Sequence, residues 1–232
     1  MSKKILLVLT SHSQFGNTGK PTGYYLPEAS VSAKIIGDAG YEIDFVSPQG
    51  GLAPVVIGDE NDPINHWFLH DSEIQRKVSH TLKPSEVDVT QYSAIYYIGG
   101  HGTVWDFKDN QELQEITKQI WENEGVVASV CHGPIGLINV KLSNGKYLID
   151  GKKIASFSND EEAAEGGVGV VPFFVADELA AHGGILTHAA LWEPNVIVDG
   201  NFVSGQNPAS AKGVSEELVQ LLKNNQTKAS SN

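Results

Sequence analysis

With 232 residues, 41% of them hydrophobic, the chain is long enough to bury a sizeable core, and one domain is the default expectation. Its formal net charge of -12 argues against nucleic acid or an anionic membrane surface as a partner, because both would repel it. The single cysteine excludes an intramolecular disulfide, and no Cys/His grouping has zinc-finger spacing, so the fold must stand on packing.

The chain opens with two lysines and the apolar run Ile5 to Leu9, too short for a secretory h-region and followed by no small-residue cleavage site. It predicts a first strand and, with no stretch near the roughly 18 apolar residues of a membrane span, a cytoplasmic protein. Four further short runs, YEIDFVSP, AIYYIGG, GVVASVC and KIASFS, have the near-continuous apolarity of strands covered on both faces. Helical segments lie between them. Pro27 to Gly40 has Pro at its start and Gly at its end; Asp109 to Gly125 places Leu113, Ile116 and Ile120 on one face, with Gly125 as the stop. Alternating β and α elements predict a doubly wound α/β fold, a mostly parallel sheet sandwiched by helices.

Residues 50–90 interrupt the alternation with a loop and one helix, expected as a small insertion or cap after the second strand. Later, Asp199 to Asn201 predicts a hairpin turn between two short strands, Pro208 starts a last helix, and residues 227–232 are expected to be a disordered tail. The single domain then spans 1–226. The Asn225-Gln226-Thr227 glycosylation triplet has no meaning without secretion.

Cys131 lies in VVASVCHGPIGL, at a junction between strand and helix, where open α/β sheets receive ligands. The following Gly and Pro suit a tight turn and a helix start. A nucleophile on such a turn is the arrangement of the G-x-S-x-G hydrolases, although that motif is not matched literally. A helix N-terminus would favour thiolate over thiol; against this stands a lone cysteine that merely packs at the end of a buried strand. Gly99, Gly100 and His101 follow the strand AIYYI, at another carboxyl end. Backbone N–H groups there, with that of His132, could stabilise an oxyanion or bind substrate. The glycines lack the Lys-Ser/Thr of a P-loop, which argues against nucleotide binding, and His101 reads equally well as structural.

Other histidines carry weaker patterns. His66 and His70 are spaced i,i+4 with Glu73 near, compatible with a metal but without the glutamate of H-E-x-x-H, so no metal is expected. His188 and Glu193 have the wrong spacing for the His-x-Glu pair of glutamine amidotransferases, and Trp192 and Glu193 read as pocket wall or dimer contact.

SVCHGP, IGGHGTVWDF and TGYYLPEA together resemble the PfpI superfamily of flavodoxin-like cysteine proteins, and within it the glutathione-independent glyoxalases (glyoxalase III) also described as heat-shock chaperones. The resemblance runs from about Lys4 to the last helix. It implies a catalytic Cys131 with Glu28 beside it, His132 for proton transfer, and an acidic partner for His132 that falls on Glu162, with Asp160 and Glu161 as competing neighbours. It further implies methylglyoxal or glyoxal as the small aldehyde substrate, a small polar pocket, no cofactor, a homodimer and a stress-response setting. A carboxyl group desolvated beside a thiolate has its pKa raised and can relay a proton, whereas a first-turn glutamate can also simply complement the helix dipole. Rival readings within the same superfamily are a protein deglycase or a cysteine peptidase. From other classes come a holdase for unfolded proteins and a redox sensor through oxidation of Cys131.

Overall fold

The structure, a computed structural model, describes residues 4–231. Strand β1 (Lys4–Val8) leads through a long loop to the short β2 (Tyr24–Tyr25) and helix α1 (Leu26–Asp38). Then come β3 (Glu42–Val46), β4 (Val55–Val56), α2 (Pro63–His70) and α3 (Ser72–Ser79). Next are β5 (Tyr92–Tyr97), α4 (Thr103–Asp106), α5 (Gln111–Glu122) and β6 (Val126–Val130). The chain closes with β7 (Lys153–Ile154), α6 (Asn159–Ala164), α7 (Val175–Ala181), β8 (Ile185–Leu186), β9 (Val196–Asp199), β10 (Phe202–Gly205) and α8 (Ala211–Ser230).

The main sheet has the order β3-β1-β5-β6-β10-β9, parallel except for the antiparallel pairing of β9 with β10. Its central strands are buried on both faces, which is why they read as unbroken apolar runs. Alternation still sorts their side chains. Ile5, Leu7 and Leu9 join the core formed with α1 and α8, while Leu6 and Val8 join that formed with α5 and α7. The chain leaves β1 toward β3 on one side and returns to β5 on the other, so the crevice for a ligand opens beyond the carboxyl ends of these strands.

Three local expectations are corrected. KIASFS does not join the main sheet: only Lys153 and Ile154 are extended, paired with β8, and the parallel place beside β6 is taken by β10. The expected single helix in the insertion is two. Asp71 adopts an extended ψ of 118° and its carboxylate accepts from the Ile74 N–H, so it ends α2 and caps α3. The tail expected to be disordered is helical to Ser230, with Thr227 and Ser230 hydroxyls donating to carbonyls four residues back and Gln226 reaching the Tyr41 hydroxyl. Asn232 lies outside the described residues. The insertion seats Phe68 in the core against Phe45 and pairs β4 with β2 at the edge of the crevice. Among the described residues no helix is long and apolar enough to cross a membrane.

Candidate active site

Cys131 is the residue at which β6 stops being a strand. Its N–H still donates to Gly205 O at 3.0 Å, continuing the ladder, and its own carbonyl accepts from Phe157 N–H at 2.9 Å. Between these two bonds its backbone is forced to φ 61°, the left-handed region that L-residues rarely occupy. Non-glycine residues are held there only when the surroundings over-determine them, and such strain concentrates at functional positions. The following turn can close because Gly133 lies against Tyr97 O, where a side chain has no room.

The segment after the turn is not the expected α-helix but a five-residue 3-10 stretch, Gly133–Leu137. It has no helix dipole comparable to that of a long helix, and the thiol is not pulled down. Burial pushes Cys131 well above its usual range, and the neighbouring Glu28 carboxylate adds to the rise.

Glu28 enters from the opposite side of the crevice, on the first turn of α1 behind Pro27. It is fully buried, and burial raises its carboxyl to about 8. The Cys131 thiol and the Gly99 N–H face it, yet neither carboxyl oxygen makes a well-formed hydrogen bond. A buried carboxyl left this way costs stability and holds a proton near neutral pH. Gly99 packs so closely on Glu28 and Cys131 that any side chain there would collide with both; it lies behind the pocket wall rather than on it.

His132 Nδ1 lies 3.3 Å from Cys131 Sγ, and its Nε2 lies 2.6 Å from Glu162 Oε2. Of the three consecutive acidic residues at the start of α6, Glu162 is the one that meets His132. Its other oxygen, Oε1, lies 2.5 Å from His101 Nε2. Burial alone would raise Glu162, but hydrogen bonds from His101 and His132 pull it down to about 2. An ionised carboxylate only accepts, so both Nε2 atoms carry hydrogen. His132, lowered by burial and by the His101 charge, is neutral and presents a bare Nδ1 to the thiol.

His101 Nε2 is thus committed to Glu162, and both His101 and Gly100, the latter at φ 118°, line the pocket. His101, His132 and Glu162 are also the grouping among the described residues whose donor atoms converge, within 4.8 Å, as a metal site would require. The two short hydrogen bonds account for that convergence. His66 and His70 stack on each other at an exposed surface, and His70 Nδ1 is 2.8 Å from His66 O.

The pocket, about 350 Å³, is polar at its buried end, where Glu28, Cys131 and His132 meet. Its outer part is largely apolar, with Val56, Trp192, Pro208 and Ala209 above the buried Phe157, which corrects the expectation of a polar pocket. Sequence reasoning missed Phe157, whose ring packs against His132 at 4.2 Å, and the pocket residues Glu165 and Tyr25, the last of which lies within TGYYLPEA but is given no role there. Trp192 lines the pocket and Glu193 does not.

Comparison with known proteins gives a consistent family. The DJ-1/PfpI family profile matches residues 22–221. The chain is 34% identical to the glutathione-independent glyoxalase HSP31 of Saccharomyces cerevisiae, over 96% of this chain and 99% of that protein. It is 29% identical to glyoxalase 3 of Candida albicans over the same shares. Among solved structures, the rapid encystment protein of 24 kDa from Francisella tularensis superposes with a TM-score of 0.91 at 35% identity, covering 95% of this chain and 99% of that one. Glyoxalase III from Candida albicans superposes with a TM-score of 0.86 at 29% identity, covering 94% and 96%. A profile match across most of the chain and near-complete alignment with these relatives place the protein in the DJ-1/PfpI family.

Proposed function

We propose that this protein is a glutathione-independent glyoxalase, converting methylglyoxal to lactate and glyoxal to glycolate with no cofactor. The observation that carries the reading is the facing pair of Cys131 and a buried Glu28 carboxyl raised to about 8, in a chain that aligns from end to end with proteins named as glyoxalases. Cys131 Sγ attacks the aldehyde carbon, while His132 Nδ1 takes the thiol proton and gives it to the aldehyde oxygen. Glu28 as carboxylate removes the hydrogen from that carbon, forming an enediol, and delivers it to the neighbouring carbon. His132 carries the oxygen-bound proton from the first oxygen to the second. The aldehyde carbon is thereby oxidised and the ketone carbon reduced, leaving a thioester that one water hydrolyses to the acid and the free thiol.

A cytoplasmic homodimer belongs to the same proposal and rests on the family resemblance. The test is incubation of purified protein with methylglyoxal, free of glutathione and with chelator present, followed by lactate assay with enantiomer-specific dehydrogenases. One lactate per methylglyoxal consumed is expected, and no lactate overturns the reading.

Glu162→Gln probes the histidine. A glutamine can accept from only one of the two Nε2–H groups and offers the other a donor, so the neutral His132 tautomer with a bare Nδ1 is no longer enforced. The expected loss in kcat is about 10²- to 10⁴-fold. A loss under threefold in a folded variant would remove Glu162 from this role.

A further inference from the structure

The outer, largely apolar half of the pocket has no part in the carbon and proton transfers. Its dominant side chain is Trp192, 37% exposed, whose ring packs on Phe157 at 5.8 Å. Trp192 has a left-handed backbone, φ 65°, in a loop that would relax if free. A set of buried polar groups prevents this. The Trp192 N–H donates to Glu161 Oε2 at 3.1 Å. Asn207 Nδ2 donates to the same oxygen at 2.9 Å and to Glu193 O at 2.7 Å. Gln206 Nε2 donates to Glu161 Oε1 at 3.0 Å, and Gln206 Oε1 accepts from Ala189 N–H at 2.9 Å. The loop carrying the indole is thus tied on both sides of Trp192 to one carboxylate and two amides with no exposed surface.

A strained aromatic fixed by a buried hydrogen-bond network, in the pocket that the reacting thiol also lines, is a built recognition surface. We propose that Trp192 is a specificity-determining platform on which the pocket receives the substituent of its substrate, selecting 2-oxoaldehydes that carry an uncharged, apolar group such as an aryl ring. The 350 Å³ pocket lies within the range of small-molecule sites and exceeds what a three-carbon aldehyde fills. No lysine or arginine lines it, and Glu165 does, so an anionic substituent has no partner there. Glu161, which does not line the pocket, is a positioning residue for Trp192. The substrate class rests on the glyoxalase reading; the platform itself does not.

The experiment compares kcat and KM for phenylglyoxal and methylglyoxal in the wild type, Trp192→Ala, Trp192→Phe and Glu161→Gln. The ratio of kcat/KM for phenylglyoxal over methylglyoxal is expected to fall about tenfold in Trp192→Ala, chiefly through KM for phenylglyoxal, in line with the loss of an aromatic contact. Trp192→Phe should recover part of it, and Glu161→Gln should lower it in the same sense through KM. An unchanged ratio in folded Trp192→Ala, with both aldehydes turned over, overturns the platform and leaves the glyoxalase reading intact. Alkylation of Cys131 by iodoacetamide and by its N-naphthyl counterpart, followed by intact mass, reads the platform without catalysis. The preference for the aryl reagent should fall in Trp192→Ala even if the wild type makes no acid from either aldehyde; equal preference in variant and wild type overturns the proposal.

Discussion

Replacing Cys131 with alanine is expected to lower lactate formation from methylglyoxal at least about a thousandfold while the protein stays folded. The size of the effect follows from the chain of contacts around Sγ. His132 Nδ1, 3.3 Å from the sulfur, starts the reaction with the thiol proton, and both its later oxygen-to-oxygen transfer and hydrogen abstraction by Glu28 need a carbon held in place by the sulfur. Folding does not depend on the thiol, because the turn is held by the backbone bonds to Gly205 and Phe157, which alanine keeps. Alanine also keeps the left-handed backbone at this position, so Cys131→Gly should melt higher than Cys131→Ala, by the roughly 1–2 kcal/mol that a Cβ costs there less the backbone freedom that glycine returns to the unfolded chain. The assay is enantiomer-specific lactate formation with thermal melts of both variants. Lactate formation within tenfold of wild type in either variant would dismiss the cysteine as nucleophile.

Glu28→Gln should do two opposite things. Turnover should fall at least about a hundredfold, since an amide cannot serve as base. Stability should rise, and the rise should depend on pH. The native carboxyl is raised from 4.5 to about 8, so it binds its proton more tightly folded than unfolded. Its favourable contribution is complete below pH 4.5 and is lost as pH climbs through about 8, a range of about 5 kcal/mol. Glutamine does not titrate, so the gap in Tm between variant and wild type should widen from pH 5 to pH 9. At roughly 2–4 °C per kcal/mol for a chain of this size, that widening is readily measured. Wild-type kcat/KM should move the other way, rising as pH passes through about 8, because carbon deprotonation needs the carboxylate. A variant that melts no higher than wild type at pH 9 would show that Glu28 is not a buried, destabilising carboxyl.

How far the sequence reveals this molecule follows from which physical signals are local. The buried strands β1, β5 and β6 are legible because burial on both faces leaves them almost wholly apolar, with Ser93 and Ser129 as the interruptions of β5 and β6, and the turn at Cys131 because Gly and Pro follow it. KIASFS has the same apolar signature, yet its place beside β6 belongs to β10, a competition between distant segments that no local pattern records. Asp160, Glu161 and Glu162 are indistinguishable in sequence. Only the direction of α6 turns one carboxylate toward His132 and its neighbour toward the Trp192 loop. The thiol's environment ran against the local expectation for a similar reason: a strand-to-helix turn favours thiolate, but the segment is a short 3-10 stretch and a buried carboxylate from another element faces the sulfur.

Helix α6 is only six residues long, too short to persist by itself, and it is pinned at its start by Ser158, whose hydroxyl and N–H both meet the Glu161 carboxylate. That carboxylate also holds the Trp192 loop, and the next residue holds His132. One brief opening of a single turn would therefore release the proton relay and the outer pocket wall together. The fraction of molecules competent at any instant is set by that local equilibrium and not by the stability of the sheet, so two proteins with the same melting temperature can differ in working population.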